Sequence, residues 1–138
     1  MLEQAITIAV NAHQGQKDKN GMPYILHPLR IMFQGKNLDE KIVGVLHDTL
    51  EDTNITAEYL RSNGFPEHII EAIIIVSRLE TETYEEFILK TKQNTLAKQI
   101  KIYDLTDNLD VKRLTFVSTT DAERMNKYLK ALQVLQTD

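Results

Sequence analysis

The 138-residue sequence has no cysteine, no tryptophan, no excess of basic residues and no long apolar run. Without cysteine there are no disulfides, no thiolate zinc sites and no cysteine nucleophile, so a metal here must be held by histidines and carboxylates. The same absence fits a reducing compartment. Sixteen Lys and Arg against twenty Asp and Glu leave a net charge of −4. Wrapping a nucleic-acid polymer needs a concentrated basic surface, so such a polymer is excluded as a partner, whereas a small anion held by a few local cations is not. The longest apolar run, Ala72 to Val76, is far short of the ~20 residues that span a bilayer, and the opening MLEQAITIAV has no basic stretch of a signal peptide. A cytoplasmic protein with no membrane partner is expected. The sequence holds no repeat, low-complexity tract or linker, and its length suits one domain over residues 1–138.

What is present reads as helices joined by short polar loops. Leu2, Ile6, Ala9 and Val10 recur at helical spacing, predicting a first helix from Leu2 to Gln14 stopped by Gly15. Gly15 to Pro23 is polar and predicts an exposed loop. Pro28 opens a short helix, Leu29 to Gln34, and Asn37 with Glu40 starts a third that runs to about Leu50. Thr56 caps a short helix ended by Gly64, and Pro66 opens another through Ile69, Ile70, Ile73 and Ile74. The run Ala72 to Val76 could be a buried strand by composition, but it continues a longer segment and has no second strand to pair with, so helix is expected. Thr83 with Glu86, Asn94, and Thr120 with Glu123 predict the starts of three more helices, the last reaching Gln136. The fold class expected is all-α, a single bundle of about seven or eight helices.

Chemistry concentrates in LHDTLEDT, where His47, Asp48, Glu51 and Asp52 end a Val/Leu-rich helix. If the helix continues, His47 lies over Glu51 and Asp48 over Asp52. Carboxylates at a helix C-terminus oppose the dipole, a misplacement that a bound cation relieves. A lone His-Asp pair carries little weight, but His27 in PYILHP and Asp104 in KIYDLTDNL bring a second imidazole and another carboxylate. Together they suit a divalent ion that keeps open water positions.

Taken with its spacing, this set resembles the HD phosphohydrolase superfamily. The strings HQGQKDKNGMPYILHP and VLHDTLEDT, with Lys101, Asp104 and Asn108, resemble more closely the hydrolase domain of the RelA/SpoT alarmone enzymes and their small stand-alone relatives. The matched segments run from about Ala5 to Tyr128. The resemblance implies that His27, His47, Asp48 and Asp104 hold a manganese ion and that Glu51 and Asp52 act on the attacking water. It implies removal of the 3′-pyrophosphate from guanosine tetra- or pentaphosphate, in the hydrolase direction alone because the synthetase of the long enzymes is a separate domain. Lys19, Asn108, Arg124 and Tyr128 match positions that contact the nucleotide, the small-molecule partner expected. Two other outcomes stay open: an HD phosphohydrolase for another nucleotide or nucleotide phosphate ester, and a nucleotide-binding sensor without turnover.

The chain also departs from the family pattern. Asp18 stands where the family carries an arginine, and a carboxylate there is expected to repel a polyphosphate or tie up a lysine, with Lys17 as a substitute cation. Tyr103 and Leu105 flank Asp104 where Ala and Arg or Lys are usual, and Asp107 replaces an aromatic or His. His13 and His68 have no carboxylate cluster beside them and are expected to be structural or surface residues. Tyr24 is expected to shape the site, and Arg78 to be a solvated helix end.

Overall fold

A computed structural model describes residues 1–138. Four of the expected helix starts are made by the side chains the sequence singles out. Asn37 accepts the amide of Glu40, Thr56 that of Tyr59 and Asn94 that of Ala97, while Thr83 and Glu86 form a reciprocal capping box. Each satisfies an amide that the first helical turn leaves without a partner. The helices are α1 (Leu2–Ala12), α2 (Leu26–Gln34), α3 (Leu38–Leu46), α4 (Thr49–Asp52), α5 (Ala57–Ser62), α6 (Glu67–Ile75), α7 (Tyr84–Lys92), α8 (Thr95–Asn108) and α9 (Thr119–Gln136), with one 3-10 turn at Val111–Arg113. The fold is all-α; the single pairing between Lys17 and Pro23 is an isolated bridge. The run from Ala72 lies in α6, where Ile69, Ile70, Ala72 and Ile73 are buried. No helix is long and apolar enough to cross a membrane.

The structure corrects four boundaries. α1 stops at Ala12 rather than Gln14. α9 starts from a Ser118–Asp121 capping box, not from Thr120 and Glu123, because Ser118 adopts the extended backbone a cap requires. α2 begins at Leu26, so His27 lies inside its first turn and Pro28 occupies a position whose N–H would have no partner anyway. The third helix does not run on to Leu50. Nδ1 of His47 donates to the Gly44 carbonyl (2.6 Å) and the Thr49 hydroxyl to that of Leu46 (2.8 Å), engaging carbonyls at the end of the helix. The chain passes through His47 and Asp48 into a separate turn, α4, and His47 and Glu51 do not stack on one straight helix. Counted as one interrupted helix, α3 and α4 bring the total to the expected eight.

Two apolar clusters hold these elements. The larger takes residues such as Ala5, Ile31, Val43, Leu60, Ile69 and Ile100 from α1, α2, α3, α5, α6 and α8. The smaller is Phe87, Ile88, Leu105, Ala131 and Leu135, where α7 and α9 meet α8. Fully burying one Ile or Leu is worth about 1.5–3 kcal/mol. α8 belongs to both clusters, so the departures around Asp104 have a packing reason. Tyr103 is buried in the larger cluster with its hydroxyl on Glu40 (2.6 Å), and Leu105 is wholly buried in the smaller. Asp104 between them faces neither core. Gly44 sets the spacing of α2 and α3: a Cβ there would stand 3.2 Å from the Ile31 side chain and 3.3 Å from the Met32 backbone. Its absence lets the two helices that carry His27 and His47 close to an interring distance of 5.3 Å.

Candidate metal centre and cleft

His27, His47 and Asp104, all buried, place one donor atom each within 4.8 Å of one another. Asp48 adjoins them, its Oδ2 3.1 Å from Nε2 of His47 and 3.7 Å from Nε2 of His27. The four residues named from the sequence as metal ligands therefore come together, although they arise from α2, the α3–α4 junction and α8. Both imidazoles are oriented from behind. Nδ1–H of His47 donates to the Gly44 carbonyl and Nδ1 of His27 faces Asp107 (2.7 Å), so each Nε2 faces the cluster. Nε2 of His47 is buried and, although 3.1 Å from Asp48 Oδ2, makes no well-aligned hydrogen bond. An orphaned buried acceptor beside two carboxylates and a second imidazole fits a cation, and the cluster can hold a metal ion.

The electrostatics of the cluster lean the same way. Burial opposes protonation of His27 and His47, yet the surrounding Asp104, Asp107 and Asp48 outweigh it and raise both. Burial likewise pushes the Asp104 carboxyl up, but Lys101 and the two imidazoles hold it well below the usual carboxylate range. Lys101 Nζ lies 2.8 Å from Asp104 Oδ2, and Asn108 Nδ2 donates to the other oxygen (3.1 Å). Tyr24 donates its hydroxyl to Asp48 Oδ2 (2.5 Å), and burial followed by the Asp48 charge pushes its pKa well up and keeps it protonated. This is the shaping role expected of it.

Glu51 and Asp52 sit at the lip of the cluster and are solvent-exposed. Glu51 Oε1 accepts the Arg78 backbone amide (2.7 Å), so Arg78 meets the site through its main chain rather than only as a solvated end. Asp52 is braced by a relay from α1: buried His13 Nδ1 meets Gln16 Oε1 (2.8 Å), and Gln16 Nε2 donates to the Asp52 carbonyl (2.9 Å). His13 is thus structural, as expected, and His68 is an exposed partner of Asp39 (3.0 Å) elsewhere. Desolvation of the carboxyl where it faces the cluster, then the charges of Asp48 and Glu51, push Asp52 up to about 6.

The cluster opens into a cleft of about 460 Å³ whose lining includes Lys19, Asn108, Arg124 and Tyr128, the four residues assigned to nucleotide contact from the sequence. Lys17, Arg30, Lys101 and Arg113 add further cations. Asp18 also lines the cleft, and it captures no lysine. Its Oδ1 accepts the amides of Asn20 (2.8 Å) and Met22 (3.0 Å), turning the loop back on itself at Gly21, which has φ +79°. The sequence reading missed Arg30 and Asp107, which pair through two hydrogen bonds of 2.8 and 3.0 Å behind His27. The signal was there: Asp107 lies one turn from Asp104, on the same helix face.

No family model matches the chain. It is 31% identical over 120 residues to a guanosine-3′,5′-bis(diphosphate) 3′-pyrophosphohydrolase of Aquifex aeolicus, an alignment covering 78% of this chain and 17% of that protein. The corresponding enzyme of Borreliella burgdorferi is 37% identical over 99 residues, 69% of this chain and 14% of its own length. A GTP pyrophosphokinase of Myxococcus xanthus is 29% identical over 126 residues, 79% of this chain and 17% of that protein. The chain thus spans between 14% and 17% of the length of these relatives. Its fold superposes with a TM-score of 0.80, at 20% identity, on a metazoan ortholog of SpoT that hydrolyses ppGpp, covering 98% of this chain and 85% of that one. Helix order, sequence similarity and the clustered His and Asp side chains agree, and the chain belongs to the RelA/SpoT family, matching its HD domain.

Proposed function

We propose that residues 1–138 act in the cytoplasm as a manganese-dependent 3′-pyrophosphohydrolase of guanosine tetra- and pentaphosphate, the alarmones of the stringent response. The observation that carries this reading is the buried Nε2 of His47, which meets His27, Asp48 and Asp104 at the base of a cleft whose wall carries both cations and carboxylates. His27, His47, Asp48 and Asp104 hold the ion, which when bound polarises a phosphoryl oxygen and makes water more acidic. Glu51 and Asp52 orient the attacking water and take its proton. The water oxygen bonds to the phosphorus next to the ribose 3′ oxygen, the ester bond to that oxygen breaks, and the 3′ oxygen leaves as a hydroxyl once it gains a proton. The products are pyrophosphate and GDP or GTP. Lys19 and Arg124 supply charge to the polyphosphate, while Asn108 and Tyr128 give directional hydrogen bonds.

The similarity to pyrophosphohydrolases supports the choice of substrate. The test is a panel of nucleotides incubated with Mn²⁺-loaded protein, with phosphate and pyrophosphate detected separately. Release of pyrophosphate from guanosine tetraphosphate is the expected result. Activity confined to simple monophosphates would move the assignment to another HD phosphohydrolase, and tight binding without product under any divalent metal would make the protein a sensor.

A further inference from the structure

Behind the cluster, three hydrogen-bond donors converge on one side chain to which the proposed reaction gives no part. Asp107 is 7% exposed on α8, one turn beyond Asp104. Its Oδ2 accepts from His27 Nδ1 at 2.7 Å and from Arg30 Nη2 at 3.0 Å, and its Oδ1 accepts from Arg30 Nε at 2.8 Å. Arg113 adds a hydrogen bond from Nη2 to the Asp107 carbonyl (2.8 Å). The His27 ring is therefore held between two carboxylates of the same helix, Asp107 on Nδ1 and Asp104 on Nε2 at 2.9 Å.

We infer that Asp107, braced by Arg30, is a positioning residue that fixes His27 with its proton on Nδ1 and aims the Nε2 lone pair at the metal position. The inference rests on the reading of this cluster as a metal site. A carboxylate behind a ligating imidazole sets its tautomer and orientation and raises its basicity. The type of side chain follows from the donor count. Three N–H groups point at two atoms, and only a carboxylate accepts at both; an amide has one acceptor oxygen and sets its NH₂ against at least one of those donors. Arg30 contributes twice. Its paired hydrogen bonds lock the plane of the carboxylate, and its charge offsets the burial of Asp107. Arg30 also lines the cleft, so the brace runs from the cleft wall to the back of the metal-facing imidazole.

Calorimetric titration of Mn²⁺ alone into the full chain tests this without relying on turnover. Asp107→Asn is expected to weaken Mn²⁺ binding about 10–100-fold. The double variant Arg30→Met/Asp107→Asn removes both competing donors and leaves the amide oxygen to His27, so it should bind more tightly than Asp107→Asn alone. A residue that only supported packing would give a double variant as weak as the single or weaker. That result, or Mn²⁺ binding by Asp107→Asn at wild-type strength, overturns the inference. His27→Ala and Asp104→Ala separate the two levels: if both bind Mn²⁺ as the wild type does, or the wild type binds none, the metal reading itself fails and takes this one with it. Ring ¹⁵N spectra of the Zn²⁺-loaded wild type need no variant to fold. His27 should carry its proton on Nδ1, and a Nδ1 without a proton would sink the assignment.

Discussion

On the floor of the cleft, every side chain of the His/Asp cluster is held by a neighbour. His47 is tied to a carbonyl of its own helix, His27 to Asp107, Asp48 to Tyr24, and Asp104 to Lys101 and Asn108. On the rim, Lys17 and Lys19 sit on an exposed loop, and Arg124 and Tyr128 project from the part of α9 that precedes its two buried residues, Ala131 and Leu135. The floor is carried by α2, α3 and α8 of the larger core, whereas the rim sits on an exposed loop and on a half-buried stretch of α9 whose Tyr128 packs against the smaller core. The two halves are suited to different tasks. A cation site must be in place before its ligand arrives, because a small geometric error costs affinity steeply. Contacts to a polyphosphate can form as the ligand lands, at the cost of ordering flexible side chains.

The contrast predicts that floor substitutions abolish turnover while rim substitutions raise KM. The largest effect is expected for His47→Ala, Asp48→Ala and Asp104→Ala, each removing a proposed ligand; pyrophosphate release should fall at least about 10³-fold, since metal-assisted activation goes with the ion. Comparable loss in a rim variant would break the comparison. Next come Glu51→Gln and Asp52→Asn, which should lower kcat about 10²–10⁴-fold while calorimetry shows Mn²⁺ still bound. Lys19→Ala and Arg124→Ala should raise KM roughly tenfold each, as loss of one charge-assisted contact implies, with kcat little changed. The smallest is Asp18→Ala: the loop loses an acceptor for two amides, so stability falls by about 1 kcal/mol and KM shifts only modestly.

Asp52 sharpens the comparison through pH. Its carboxyl titrates near 6 in the folded chain, above the ordinary 3.8, so the folded state holds that proton more tightly than the unfolded state does. The stabilisation is complete below about 3.8 and disappears as pH rises through about 6, leaving an ionised carboxylate that the fold disfavours. In the metal-free protein, Asp52→Asn should therefore raise Tm relative to wild type at pH 7.5, and the difference should vanish near pH 4. A wild-type Tm advantage at pH 7.5 would show Asp52 to be stabilised by its surroundings instead.

Much of this was legible in the chain. Caps such as Asn37, Thr56, Thr83 and Asn94 act within four residues, so local sequence specifies them. The His and Asp residues of the floor were also named from sequence, as were Lys19, Asn108, Arg124 and Tyr128, and the fold brings both groups to one cleft. What escaped depended on contacts distant in sequence or on a choice between rival partners. The break after Leu46 reflects side chains competing for carbonyls, which periodicity does not register. The use of Asp107 depends on a neighbour 80 positions away. Asp18 was read by its charge, when its hydrogen-bonding reach to the amides of its own loop decides its direction.

The close approach at Gly44 has a consequence for the order in which the molecule assembles. α2 and α3 are joined by a short turn, so their packing, and with it the meeting of His27 and His47, is a local event with little loop-closure entropy to overcome. Asp104 arrives only when α8, far along the chain, docks across both cores. Two imidazoles and the adjoining Asp48 are thus gathered by a local contact, and Asp104 joins them only through the long-range docking of α8. A divalent ion that needs all of them binds the finished fold and not its precursors, adding about 2.7 kcal/mol of stability at a hundred times its Kd. In that sense the glycine gathers half of the centre cheaply, and an ion bound there would clamp the helix that completes it.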